Sequence, residues 1–241
     1  MLSNGLRAVL MKRIGSGRKR LSPSSGRVNP RAGGWAKVGW GKREGAISAA
    51  DRSASKRLVF GLCFYALVAV VALLWRTGVY GEPIIFASAA DAAGAMNVLG
   101  DFGLGVGVGL AVAGVSFLTA TWTNWGKTLS AELAAALGPL GLKRALLLAV
   151  ASGFAEEMFF RGALQPRVGL AVASVLFAAA HFLPRRALLP WTAFALAAGF
   201  LLGGLFDWTG NLIAPITAHI VVNAINLPLL EYRFGEASGG S

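Results

Sequence analysis

Ionisable side chains are scarce in the apolar segments of this sequence, and those present are of types that do chemistry. Glu156 and Glu157 are adjacent in the stretch AEEMFFRGAL, with Arg161 four residues after the second. The chain has two histidines, His181 and His219, and Asn223 follows the latter by four residues. Residues four apart on a helix share a face. Glu157 therefore pairs with Arg161, His219 and Asn223 reach one cavity, and Phe177 forms an apolar floor one turn before His181. Glu156 lies about 100° around the helix from Glu157 and points elsewhere. An ionisable group costs about 2.5–3.5 kcal/mol at the centre of a membrane helix, so each is by default a functional candidate.

One carboxylate, two imidazoles and an amide suit hydrolysis by an activated water. A glutamate in a low-dielectric site has the basicity of a general base. An adjacent imidazole can hold the same water, and a second imidazole with an amide can donate to an oxyanion. The same carboxylate and imidazoles, Glu156, His181 and His219, could instead ligate a divalent metal such as zinc. No HExxH helix compels that reading. Ser152 and Ser174 have no partner in the sequence pattern that would make either a nucleophile, so both read as packing residues.

These residues need rigid apolar elements to hold them. Hydrophobic residues make up 55% of the 241 positions and charged residues 14%; the mean hydropathy is +0.61. Apolar runs long enough to cross a core of about 30 Å recur along the chain. They fall at 58–75, 102–122, 145–164, 168–182, 188–206 and 212–230, with an amphipathic interfacial segment at 128–141. The expected fold class is all-α: a polytopic membrane bundle of about six transmembrane helices. Measured at helical rise from a turn near 165–167, Glu156 lies about 15 Å in and His181 about 22 Å in. From the outer end of the last segment, His219 lies about 12 Å in and Asn223 about 18 Å. The four fall within about 10 Å in depth around the midplane, so residues from three helices can reach one polar pocket.

The formal charge of +12 belongs to one end of the chain. Residues 1–57 hold 14 of the 23 Lys and Arg against Glu44 and Asp51, and the remainder balances at nine against nine. The expected organisation is a disordered basic tail over 1–56 and a helix bundle over 57–234. The tail reads as a cytoplasmic arm drawn to anionic lipid, as an organelle transit peptide, or as translated sequence upstream of the true start. It has no fold motif for nucleic acid, and no nucleic-acid partner is expected. Lys and Arg in the short loops place both termini inside. The single Cys63 excludes a disulfide within one chain.

Glu156-Glu157-x-x-x-Arg161, Phe177-x-x-x-His181 and His219-x-x-x-Asn223, in that order on successive apolar segments, resemble the three motifs of the CAAX-protease and bacteriocin-processing (CPBP, or Abi) family of intramembrane endopeptidases. The likeness covers about 143–230 and includes Gly162. It implies a hydrolase that cleaves a peptide bond of a membrane-associated protein or peptide within the lipid bilayer. Glu156 would be the base acting with His181 on water, and His219 and Asn223 the oxyanion site. Glu157 and Arg161 would support the first motif. A glutamate-dependent mechanism with no cofactor is favoured over a zinc-dependent one. Family substrates include prenylated CAAX tails, bacteriocin leaders, anti-sigma factors and sorting signals, and a bacterial inner membrane is the expected location. The alternatives are a non-catalytic protein of the same fold, with an immunity or chaperone-like role, and a small transporter.

Overall fold

A computed structural model describes residues 40–234, with side chains from 51 onward. The elements are helical throughout, joined by short loops. Within the described residues the sole extended pairing is an isolated bridge between Phe86 and Asn211.

The first helix, α1, spans Trp40–Leu73 and continues as a π-helical turn, Leu74–Val79. This corrects the expectation of a disordered tail for residues 40–56, which are helical. Ala, Lys and Arg in that stretch are good helix formers even without an apolar stripe, and the apolar run beyond it extends the helix cooperatively. The rest of the tail reading falls outside the described residues.

A short helix α2, Ala89–Ala93, precedes α3, Val98–Trp122. Helix α4 is Asn124–Leu137. Side-chain caps set the boundaries: Asn97 Oδ1 accepts from Gly100 N at 3.0 Å and Thr123 Oγ1 accepts from Gly126 N at 3.0 Å. Each such cap contributes about 1 kcal/mol. Helix α5 is Leu142–Glu157, followed without a gap by a π-helical segment, Met158–Leu164, and by α6, Gln165–Ala180. Helices α7, Leu189–Thr209, and α8, Ile213–Phe234, complete the bundle.

Five helical runs among the described residues are long and apolar enough to cross a membrane, against the six expected. The difference lies in Leu142–Ala180, one run where two helices were expected. The run is not straight. Gly169 has φ 78° and ψ 165°, a conformation open essentially to glycine alone. The chain doubles back there, a few residues beyond the turn expected at 165–167. Phe160 and Phe177 would be about 25 Å apart on a continuous helix, yet their ring centroids are 5.0 Å apart.

Small residues let the helices approach closely, the usual basis of packing where lipid replaces water. Gly105, Gly109 and Ala113 are buried on α3, and the first two lie directly against Ala214, Thr217, Ala218 and Val221 of α8. The outward faces are apolar instead: Leu67, Val79, Leu99 and Trp122 are at least 60% exposed. A soluble monomer does not present such a surface.

The loops cluster at two opposite ends. At one end Arg144 pairs with Asp51, Glu231 accepts from Gly141 N at 2.8 Å, and Arg233 donates to Thr121 at 2.9 Å. At the other, Arg167 pairs with Glu82 at 2.9 Å and Asn211 donates to Asp101 at 2.7 Å. Fully buried Arg76 ties this second end together. It donates to the carbonyls of Pro83, Phe86 and Gly162. Gly162 lies in the π-helical segment, whose wider turn displaces carbonyls from ordinary helical pairing.

Candidate active site

Glu156 and Glu157 end α5, immediately before the π-helical segment. The single-residue step between them sends the two carboxylates to different partners. Glu157 is fully buried and takes Arg161 Nη1 at 2.9 Å. The guanidinium also donates to Gly199 O at 3.2 Å and lies 4.4 Å from the Phe177 ring centroid. This ion pair is the local one that the four-residue spacing predicts.

Glu157 has a second partner that the sequence does not show. His219 Nδ1 lies 2.7 Å from the same oxygen, Glu157 Oε1. A carboxylate held by a guanidinium accepts, so the imidazole donates through Nδ1. Its Nε2 is the nitrogen left for the cavity. Glu157 thus orients His219 as well as pairing with Arg161. The contact depends on Gly153: a Cβ there would lie 2.6 Å from Ile220 Cγ1 and 2.9 Å from the Ile220 backbone nitrogen. Only glycine lets α5 and α8 come this close.

Glu156 turns the other way, toward His181, with Oε2 3.5 Å from His181 Nε2. The His181 Nδ1 lies 2.8 Å from Phe177 O. A carbonyl only accepts, so Nδ1 carries a proton and Nε2 is the ring atom turned to the Glu156 carboxylate. Glu156 Oε2 is buried with no hydrogen-bond partner among the described residues. The reversal at Gly169 is what brings these two side chains, 25 positions apart, to one place.

Asn223 lies one turn beyond His219 and donates to Ser152 Oγ at 3.0 Å, leaving its second amide hydrogen free. Ser152, which the sequence presents as a packing residue, is thus a partner of the site. It precedes Glu156 by four residues and shares its face, a relation readable from the spacing. Phe177 forms the floor: its ring centroid is 4.4 Å from that of His181 and 6.1 Å from that of His219. Trp191 packs edge-on to His181 at 5.8 Å. Tyr65 of α1 brings a phenol beside Glu156; no spacing in the sequence connects them.

Glu156, His181, His219, Asn223, Ser152 and Tyr65 all line one cavity of about 920 Å³. Its walls are otherwise mainly Leu, Val, Ala and Phe. The site residues thus converge from α1, α5, α6 and α8. Glu156, His181 and His219 do not form a compact set of three: no group of three His, Cys, Asp or Glu among the described residues is close enough together to hold a metal ion.

Residues 138–225 match the family described as Type II CAAX prenyl endopeptidase Rce1-like. That segment includes all of the motif residues and neither Tyr65 nor Arg76. A protein of Bacillus subtilis (strain 168), named Uncharacterized protein YpbD, is 48% identical over 82 residues, 33% of this chain and 42% of that protein. The match therefore spans less than half of the relative's length. No solved structure matches the chain.

Proposed function

We infer, from the Rce1-like CAAX-protease and bacteriocin-processing domain that this chain carries at residues 138–225, that the protein is an intramembrane endopeptidase acting through a water held by Glu156 and His181. The carrying observation is Glu156 Oε2 standing 3.5 Å from His181 Nε2 in an apolar-walled cavity. With the ring in its neutral form, two lone pairs face one another there and repel unless a donor satisfies both. A water beside them donates one hydrogen to the Glu156 carboxylate and the other to His181 Nε2. Its own lone pair is then free to attack a carbonyl carbon.

The chemistry balances within these residues. As the water oxygen bonds to the carbonyl carbon, its proton passes to Glu156. The oxyanion is met by His219 Nε2–H, in the imidazolium form whose Nδ1–H is held by Glu157, and by the free amide hydrogen of Asn223. Collapse breaks the C–N bond, and protonated Glu156 returns the proton to the leaving amine. No step is assigned to a metal. The apolar walls fit a membrane-associated protein or peptide substrate. With the cation-rich end, carrying Lys127, Lys143, Arg144, Arg185, Arg186 and Arg233, on the cytoplasmic side, both ends of the described bundle face the cytoplasm.

The test is mass-spectrometric comparison of membrane-protein termini in cells carrying the wild-type chain, Glu156→Gln or His181→Ala. Uncleaved precursors in both variants, at equal membrane levels, support the reading. Unchanged processing in either variant overturns it in favour of a non-catalytic role for the same fold.

A further inference from the structure

The motif residues all lie within 138–225, yet part of the cavity wall comes from α1, which the family match does not reach. Of the α1 residues that line the cavity, Arg57 is tied to Pro139 O and Tyr65 carries a hydroxyl. Its phenol stands beside Glu156. Glu156 Oε2 is buried without a hydrogen-bond partner, and an unsatisfied buried acceptor costs about 1–3 kcal/mol. A phenol hydroxyl is a suitable donor to it.

The depth of Tyr65 is fixed from both sides. Eight residues before it, Arg57 Nη2 donates to Pro139 O at 2.7 Å. Eleven residues after it, buried Arg76 donates to Gly162 O and to two loop carbonyls. These ties are about 12 Å and about 16 Å along the helix from Tyr65. Both attach α1 to the run that carries Glu156, one just before α5 begins and one just beyond it. Gly61 faces Leu148 of α5, and the three points in order, Arg57 to Pro139, Gly61 to Leu148 and Arg76 to Gly162, give α1 and α5 the same direction. The two end ties hold the phenol near the level of the carboxylate.

We propose that Tyr65 is a positioning residue of this site, donating its hydroxyl to Glu156 Oε2 so that the remaining lone pairs of the carboxylate are turned to the water. The proposal rests on Glu156 acting as the base. Its consequence is that the Rce1-like segment alone is an incomplete site, and α1 must be seated for the base to be set.

The primary test needs no substrate. The full chain in detergent micelles is labelled with 3-fluorotyrosine at its three tyrosines, Tyr65, Tyr80 and Tyr232, and followed by fluorine NMR. Tyr65→Phe assigns the signal; if that variant does not fold, Tyr80→Phe and Tyr232→Phe assign it by elimination. Glu156→Gln is expected to shift the Tyr65 signal and leave the other two in place. A Tyr65 signal indifferent to Glu156→Gln overturns the proposal, whether or not the chain is a protease. On a precursor found by the terminus comparison, Tyr65→Phe is expected to lower kcat roughly tenfold with KM unchanged, the effect of losing one hydrogen bond to a charged group. Because that bond favours the anion, its loss moves the acid limb of the kcat/KM profile to higher pH. An unmoved acid limb overturns the proposal even where kcat falls.

Discussion

His219 and Glu157, 62 positions apart in the chain, are joined by a 2.7 Å contact between Nδ1 and Oε1. The same oxygen takes Arg161 at 2.9 Å. Adjacent glutamates therefore have separable tasks: Glu157 holds the scaffold and orients an imidazole, and Glu156 faces the cavity.

That separation predicts opposite outcomes for the two carboxylates. Glu156→Gln removes cleavage and leaves thermal stability in detergent nearly unchanged. Glu157→Ala leaves buried Arg161 without its counter-ion and destabilises the fold by about 3–5 kcal/mol, the cost of breaking a buried pair. Thermal unfolding of both variants, beside terminus analysis, checks the contrast.

Gly153→Ala forces a Cβ to within 2.9 Å of the Ile220 backbone nitrogen. The helices must part, at a cost of roughly 1–3 kcal/mol. His219 is drawn from Glu157, so cleavage falls more than stability does. Gly107→Ala, on an open face with nothing within 4 Å of the new Cβ, serves as the control and leaves both unchanged.

In the mechanism proposed above Asn223→Ala removes one oxyanion donor, and it frees Ser152 of its partner. The expected loss in kcat is about 10²–10³-fold. Ser152→Ala keeps the donor and loses only its partner, so the loss is smaller. Kinetics on an identified precursor distinguish the two.

Arg76→Met leaves three loop and helix carbonyls without their donor, each costing about 1–3 kcal/mol if it stays dry. Limited proteolysis is expected to cut the 80–88 loop faster in this variant. Equal cutting rates would show that the guanidinium is not the tie.

The active protein is expected to carry no stoichiometric zinc and to keep its activity in chelators. One zinc per chain, lost together with activity, would overturn the glutamate–water mechanism. Elemental analysis of active, purified protein makes the measurement.

Much of this site is legible from helical periodicity. The four-residue spacing gave the Glu157–Arg161 pair, and the 100° step sent Glu156 away from it. Counting rise from the expected turns put Glu156, His181, His219 and Asn223 within about 10 Å of one another in depth. What the spacing could not show depends on contacts between distant helices. The reach of His219 to Glu157 depends on how closely Gly153 lets α8 approach, and Tyr65 has no local relation to Glu156 at all. Arg76 reads as a loop cation at the end of an apolar run, because nothing local reveals three carbonyls waiting around it. The start of α1 was hidden for a different reason: residues 40–56 lack an apolar face, so periodicity was silent where helix propensity was not.

The reversal at Gly169 also orders the making of the protein. Glu156 and His181 belong to one helical hairpin, and Glu157 and Arg161 to one turn, so both pairs can close while the ribosome is still adding α7. The imidazole that Glu157 orients arrives only with α8, the last helix of the described bundle. A chain still being synthesised can therefore pair Glu157 with Arg161 early, while the contact of Glu157 with His219 is completed only when synthesis has delivered the final helix of the described bundle.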